Sequence, residues 1–137
     1  MNAHRALALL AAAALAAPSA CRRDVSPADR YRAFAQAARD GKADDVWGML
    51  SERSRAELDR RAKALAEKAP PGVVAGSGRA MVLGDLSALA PRPTSVVVVR
   101  ESRDAAVVSV EADGQPAREV TLQREGGVWR VVVPFDK

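Results

Sequence analysis

The sequence predicts an α+β fold in which N-terminal helices pack on a curved antiparallel sheet formed by the last third of the chain. Three observations lead to this class. Apolar residues recur at helical spacing between residues 27 and 69. Four valine-rich segments of strand length follow residue 94, and short breaks separate them. Helices followed by strands is the order typical of α+β domains.

The N-terminus predicts a secretory leader. Arg5 precedes an unbroken apolar run over residues 6–17, and small residues lead from it to Cys21, the only cysteine of the chain. The run is too short to span a bilayer, which takes about 20 apolar residues, but its length is typical of a signal peptide. We therefore predict that residues 1–20 are cleaved and that residues 21–26 form a tether.

Cys21 is the predicted site of lipid attachment. Pro18-Ser19-Ala20-Cys21 resembles the lipobox of bacterial lipoproteins, with Pro18 at the position where that family usually has an aliphatic residue. A lone thiol in an oxidising compartment favours intermolecular pairing, which lipidation would prevent. The alternative is ordinary secretory cleavage near Ala20, which leaves a free thiol on a secreted, soluble protein.

Residues 27–137 are predicted to form one domain, since this length supports a core of its own. The chain carries 21 Lys and Arg against 17 Asp and Glu, and the charges are interspersed. Nucleic-acid binding requires a clustered basic surface, so no nucleic-acid partner is predicted. The single histidine, His4, lies in the leader. The mature chain therefore lacks His-dependent catalysis and His-containing metal sites, and we predict neither a metal nor a cofactor.

Capping signals place three helices. Ser26 is followed by a proline and, three residues on, by a carboxylate, which predicts an N-cap and a first helix over residues 27–40. A second, short helix is predicted over residues 42–50. The pattern Ser-Arg-Ala-Glu at Ser54 predicts the N-cap of a third helix that ends near Ala69. The apolar residues expected to share one face of this third helix are Leu58, Ala62, Leu65, Ala66 and Ala69.

Residues 70–94 hold four glycines, and we expect a partly ordered connection with a short strand or helical turn in residues 80–90. Within it, Gly76-Ser77-Gly78-Arg79 lacks the lysine of a phosphate-binding P-loop and is interpreted as a flexible loop.

The predicted strands cover residues 95–100, 105–112, 117–124 and 128–133. The breaks between them are short enough for hairpins, which predicts an antiparallel meander. The first strand is apolar on both faces and is expected to be central or covered. Trp129 is expected to join the sheet to the helices.

Two segments resemble the small NTF2-like lipoproteins of bacteria. One has the form Ser-Pro-x-Asp-x-Tyr-x-x-Phe from Ser26, and the other is Gly-Gly-x-Trp-Arg-Val from Gly126. The resemblance extends over residues 26–58 and 95–134. It implies a cone, in which helices pack into the concave face of a bent sheet around an internal pocket. That superfamily includes enzymes, binding modules and assembly adaptors, so the fold alone does not select a function.

The larger apolar residues of the first two helices and the last strand are candidates for lining such a pocket. A small apolar ligand would fit them, or an acidic ligand if arginines surround the mouth. Ordinary core packing is the competing interpretation. The candidates are Tyr31, Phe34, Trp47, Leu50 and Trp129.

The leading hypothesis is a non-catalytic, lipid-anchored protein of the cell envelope, facing the periplasm or the exterior, that binds a small ligand or an envelope protein. One alternative is a hydrolase or isomerase that uses a single carboxylate, Asp45 or Asp85, in the cone. The other is a secreted module that forms a homodimer through its exposed sheet face. Asp44 and Asp45 diverge by about 100° around a helix, which argues against a metal ion shared between them.

Overall fold

The computed structural model describes residues 24–89 and 91–135, so the predicted leader and Cys21 lie outside the described residues. Helices come first and antiparallel strands follow, which confirms the predicted α+β class. Within the described part, the elements in chain order are α1 Pro27–Arg39, α2 Ala43–Met49, α3 Glu52–Lys68, α4 Gly78–Leu89, β1 Pro93–Glu101, β2 Ala105–Ala112, β3 Gln115–Glu125 and β4 Val128–Val131.

The sheet is the predicted meander, with strand order β1-β2-β3-β4 and every neighbouring pair antiparallel. Its inner face carries cross-strand rows of apolar residues. One row is Val98, Val108 and Val120. The registers of β1 with β2 and of β2 with β3 shift at bulges, and bulges bend strands. The β3–β4 turn has Gly126 and Gly127 at φ of 57° and 78°, values that favour glycine.

β1 lies at an edge of the sheet, so the expectation that it is central or covered is wrong. Val96 is buried on the inner face, whereas Val97 and Val99 are 57% and 47% exposed. An apolar run looks the same in sequence whether its second face is covered or open to water. The edge itself is partly blocked, because Arg32 of α1 donates a 2.8 Å hydrogen bond to the Val96 carbonyl oxygen. Occupied edge acceptors discourage pairing with further strands.

The helix α1 joins the sheet to the rest of the helical layer. Its predicted cap is confirmed, since the Ser26 hydroxyl accepts from the Asp29 N–H at 3.1 Å. Tyr31 and Phe34 on its apolar face are buried against the inner face of the sheet, where Trp129 is 3% exposed in the same core. Trp129 therefore occupies the position between the two layers that the sequence predicts.

The third helix begins three residues earlier than predicted, because its N-cap is Ser51 and not Ser54. The Ser51 hydroxyl accepts from the Ser54 N–H at 3.2 Å and donates to the Ser54 hydroxyl oxygen at 2.8 Å. The Ser51 N–H donates to the Val131 carbonyl at 2.9 Å, and the Ser54 hydroxyl accepts from the Val133 N–H at 2.9 Å. Both serines are buried. The first turn of α3 is thus hydrogen-bonded to the chain at the end of β4.

The segment expected to be a partly ordered connection contains the 12-residue helix α4. Residues 78–79 of the predicted flexible loop form the beginning of this helix, and residues 76–77 lie just before it. The Ser77 hydroxyl accepts from the Ala80 N–H at 3.3 Å, and Asp59 of α3 accepts from the Gly78 N–H at 2.8 Å. These two acceptors satisfy amide groups that a helix start leaves without intrahelical partners.

Ser54→Ala should destabilise the protein. The substitution removes the acceptor of the Val133 N–H and the partner of the Ser51 hydroxyl. Because a buried polar group left without a partner costs about 1–3 kcal/mol, we expect a loss of about 2 kcal/mol in the free energy of unfolding, measured with urea. Ser109→Ala on the outer face of β2 is the control and should change this free energy by less than about 0.5 kcal/mol. Equal losses in both variants would contradict the role of Ser54.

Candidate functional site

A groove with a volume of about 520 Å³ lies between the C-terminal half of α3, the first half of α4 and the segment after β4. It is open to solvent along one side. Its wall is mainly apolar. The apolar side chains that contribute most of this wall are Leu58, Leu65, Met81, Val82, Val133 and Phe135.

The groove exists because the apolar face of α3 is only half covered. Leu58 and Ala62, in the first part of that face, are 7% and 0% exposed. One turn further on, Leu65 is 48% exposed and lines the groove. A contiguous apolar surface bordered by polar residues is typical of a binding site.

Three cations, Arg60, Arg61 and Lys68, border the groove, and none of the described residues that line it is acidic. Glu57 accepts hydrogen bonds of 2.8 Å from both Arg60 and Arg61. These hydrogen bonds lower the pKa of Glu57 to about 2, so the carboxylate stays ionised and holds both guanidinium groups on this side of α3. The Arg61 guanidinium also lies 4.6 Å from the centre of the Phe135 ring, a favourable cation–π distance.

Gly78 sets the position of the opposite wall. It is buried where α4 begins, and a Cβ at this position would lie 2.6 Å from the Asp59 nitrogen and 2.7 Å from the Leu58 carbonyl carbon. Only glycine permits this approach of α4 to the backbone of α3. Arg79 adds a contact to a third helix, because its Nε donates to Asp44 of α2 at 2.8 Å.

The residues that the sequence offers as pocket lining lie elsewhere. All belong to the core or pack against it, and none is among the residues that line the groove. Their role in a pocket stays a prediction. Four are buried, namely Tyr31, Phe34, Leu50 and Trp129, and Trp47 is half-buried. The one sequence signal for the groove was the length of the apolar face on α3, which continues past Leu58 for three further turns.

Of the two candidate carboxylates, only Asp45 has a described side chain. Asp45 lies exposed in the first turn of α2, where the helix dipole favours a negative charge. The side chain of Asp85 lies outside the described residues, as does Cys21. Within the described ranges, no three His, Cys, Asp or Glu side chains lie close enough together to hold a metal ion.

Three arginines outside the groove, which lie on α1, β1 and β4, have partners elsewhere in the fold. Arg39 donates to Gln36, Arg100 pairs with Glu119 at 3.5 Å, and Arg130 donates to the Gly48 carbonyl. Arg130 also lies near Arg30 of α1. Burial, and then repulsion from Arg130, lower the pKa of Arg30. The cations of the groove are different residues, all of them on α3.

Comparison of the chain with protein families, with curated proteins and with solved structures gives no match. None of the helices in the described ranges is both long enough and apolar enough to cross a membrane. The fold and the groove are therefore the basis for a functional proposal, together with the sequence of the N-terminus.

Gly78→Ala should move α4 away from α3 and destabilise the protein. Because the new methyl group would overlap backbone atoms at 2.6 and 2.7 Å, the expected loss is about 1–3 kcal/mol in the free energy of unfolding. Gly76→Ala is the matched control, since nothing lies within 4 Å of its Cβ position. That control should be neutral or stabilise by up to about 1 kcal/mol, because it restricts the unfolded chain. Equal stability of the two variants would rule out the close approach of the helices.

Proposed function

We propose that this chain is a lipid-anchored protein of the cell envelope whose α+β domain binds a small amphipathic anion without catalysing a reaction. The observation that carries the binding proposal is the half-covered apolar face of α3, with Leu65 exposed in a groove that three cations border. An acyl chain or another apolar body would fit the wall, and a carboxylate or phosphate would pair with the cations at its rim.

The dimensions of the groove support this ligand class. Its volume of about 520 Å³ lies in the range of small-molecule sites, about 300–1,000 Å³, in which a mostly apolar lining is combined with a few polar groups that fix orientation. Lys68 and the two arginines lie on one helix. They therefore offer one charged border, which suits a ligand with a single anionic end.

The anchor is supported by the sequence. Cys21 directly follows the predicted leader of residues 1–20 and lies five positions before the cap of α1 at Ser26. The domain is proposed to be of the NTF2-like type. Three features support this proposal: the helices precede the strands, the antiparallel meander is bulged, and the Gly-Gly-x-Trp-Arg-Val segment contributes the turn and last strand of the final hairpin. Its binding groove would then lie at the outside of the helical layer rather than inside the cone.

The intact mass of the mature protein, purified from the membrane fraction of its host, tests the anchor. We expect the mass of residues 21–137 plus diacylglycerol, with or without a third acyl chain. A Cys21→Ser variant should appear in the soluble fraction, because the two or three acyl chains supply the membrane affinity. An unmodified mass in the soluble fraction would instead support the secreted alternative with a free thiol.

Dodecanoate tests the groove, with dodecan-1-ol as the uncharged comparison. We expect calorimetry to show binding of dodecanoate and weaker binding of the alcohol. Leu65→Ser removes exposed apolar wall and should weaken dodecanoate binding about tenfold, which corresponds to about 1.4 kcal/mol. Lys68→Glu should weaken dodecanoate binding and leave the binding of the alcohol unchanged.

Val97→Ser is the matched control for Leu65→Ser. Val97 is a similarly exposed apolar residue, 57% exposed, on the outer face of β1 and outside the groove. Its substitution should leave the affinity for dodecanoate unchanged. If neither probe binds, or if Val97→Ser and Leu65→Ser weaken binding equally, the groove is not the binding site.

A further inference from the structure

Asp24, the first residue that the structure describes, lies at the end of the sheet that carries the β1–β2 and β3–β4 turns. Arg124 of β3 donates from Nη2 to the Asp24 carboxylate at 3.2 Å, and its backbone N–H donates to the Asp104 carbonyl at 2.8 Å. Asp24 also shares a shallow surface cleft with Arg103, Gly126 and Gly127. Residues 102–104 connect β1 to β2, and residues 126–127 connect β3 to β4. We call this part of the molecule, residues 102–104 and 126–127, the turn end.

The length of the tether limits how far the turn end can lie from Cys21. Only two residues separate Cys21 from Asp24. A fully extended chain advances at most about 3.6 Å per residue, so the Cα atom of Cys21 lies within about 11 Å of that of Asp24. By comparison, β2 alone extends from Ala105 to Ala112, about 23 Å at the usual rise along a strand.

We propose that the turn end faces the membrane and contacts the lipid head groups, with the opposite end of the sheet pointing away from the bilayer. This inference rests on the proposed lipid anchor at Cys21. The partner is a lipid surface, because the short tether keeps the turn end close to the bilayer that would hold the anchor.

Charge does not determine this orientation. Arg103 and Arg124 at the turn end are offset by the carboxylates of Asp24 and Asp104, all four in the same cleft. Arg22 and Arg23 in the tether add two positive charges. The tether length is therefore the constraint, and the tether arginines would add only a modest attraction to anionic lipid.

The same orientation places the groove away from the membrane. From the turn end, β4 runs from Val128 to Val131, and the following residues continue in the same direction, where the Val133 N–H reaches Ser54 and Phe135 reaches Arg61. α3 runs alongside, and the Glu52 N–H at its start donates to the carboxylate of Glu125, which lies just before the β3–β4 turn. The groove lies further along both segments, so the proposed orientation places it away from the membrane.

Energy transfer to labelled lipid tests the orientation. A chain that starts at Cys21 retains every described element, and its single thiol can be coupled to a maleimide lipid in phosphatidylcholine–phosphatidylglycerol vesicles. An azide-bearing amino acid, placed at Arg103 or at Asp113 in the opposite β2–β3 turn, accepts a donor dye without using the thiol. Both positions are exposed. With acceptor lipid in the vesicle, we expect the dye at position 103 to lie about 20 Å closer to the membrane than the dye at position 113.

A flexible spacer is the control. Twenty Gly and Ser residues inserted between Arg23 and Asp24 span about 25 Å on average and should abolish most of the difference between the two dyes. Equal transfer from both positions in the chain without the spacer, or stronger transfer from position 113, overturns the proposed orientation. Because the maleimide supplies the anchor, this result is independent of whether the natural protein is lipidated, which the intact mass decides separately.

Discussion

The position of the groove depends on the buried hydrogen bonds between Ser51, Ser54 and the end of β4. They fix where α3 begins relative to the sheet, through the Val131 carbonyl and the Val133 N–H. From that start, the direction of α3 determines where Asp59 can cap α4 and where the apolar face extends past the core. The groove is therefore a consequence of this junction. Local helix propensity alone would have left α3 free to begin elsewhere.

Local sequence signals predicted the elements that local interactions decide. The Ser26 cap, the β3–β4 turn at Gly126 and the alternation of the later strands all follow from neighbours in sequence, and the structure agrees. The predicted start of α3 is wrong for the opposite reason. Ser54 with Glu57 matches a capping box better than Ser51 does, but the choice between the two serines depends on hydrogen bonds to residues about 80 positions later.

The groove was not predictable because its walls come from three distant parts of the chain. The sequence predicts a loop at Gly78, since glycine lowers helix propensity by about 1 kcal/mol relative to alanine. In the fold, the missing side chain permits contact with the backbone of Leu58 and Asp59. The exposure of Leu65 likewise depends on what α4 and the segment after β4 leave uncovered. Apolar periodicity indicated which residues of α3 share a face, but not how much of that face is covered.

Three carboxylates of the described domain hold helices and cations in place. A carboxylate that acts as a base near neutral pH needs burial or a negative neighbour to raise its pKa. Here Glu57 has its pKa lowered by two arginines, Asp59 caps α4, and Glu125 accepts from the N–H of Glu52. Each of these acids is therefore occupied in holding helices and cations in place. Arg60, Arg61 and Lys68 border the apolar groove, and this arrangement complements the amphipathic anion that we propose as its ligand.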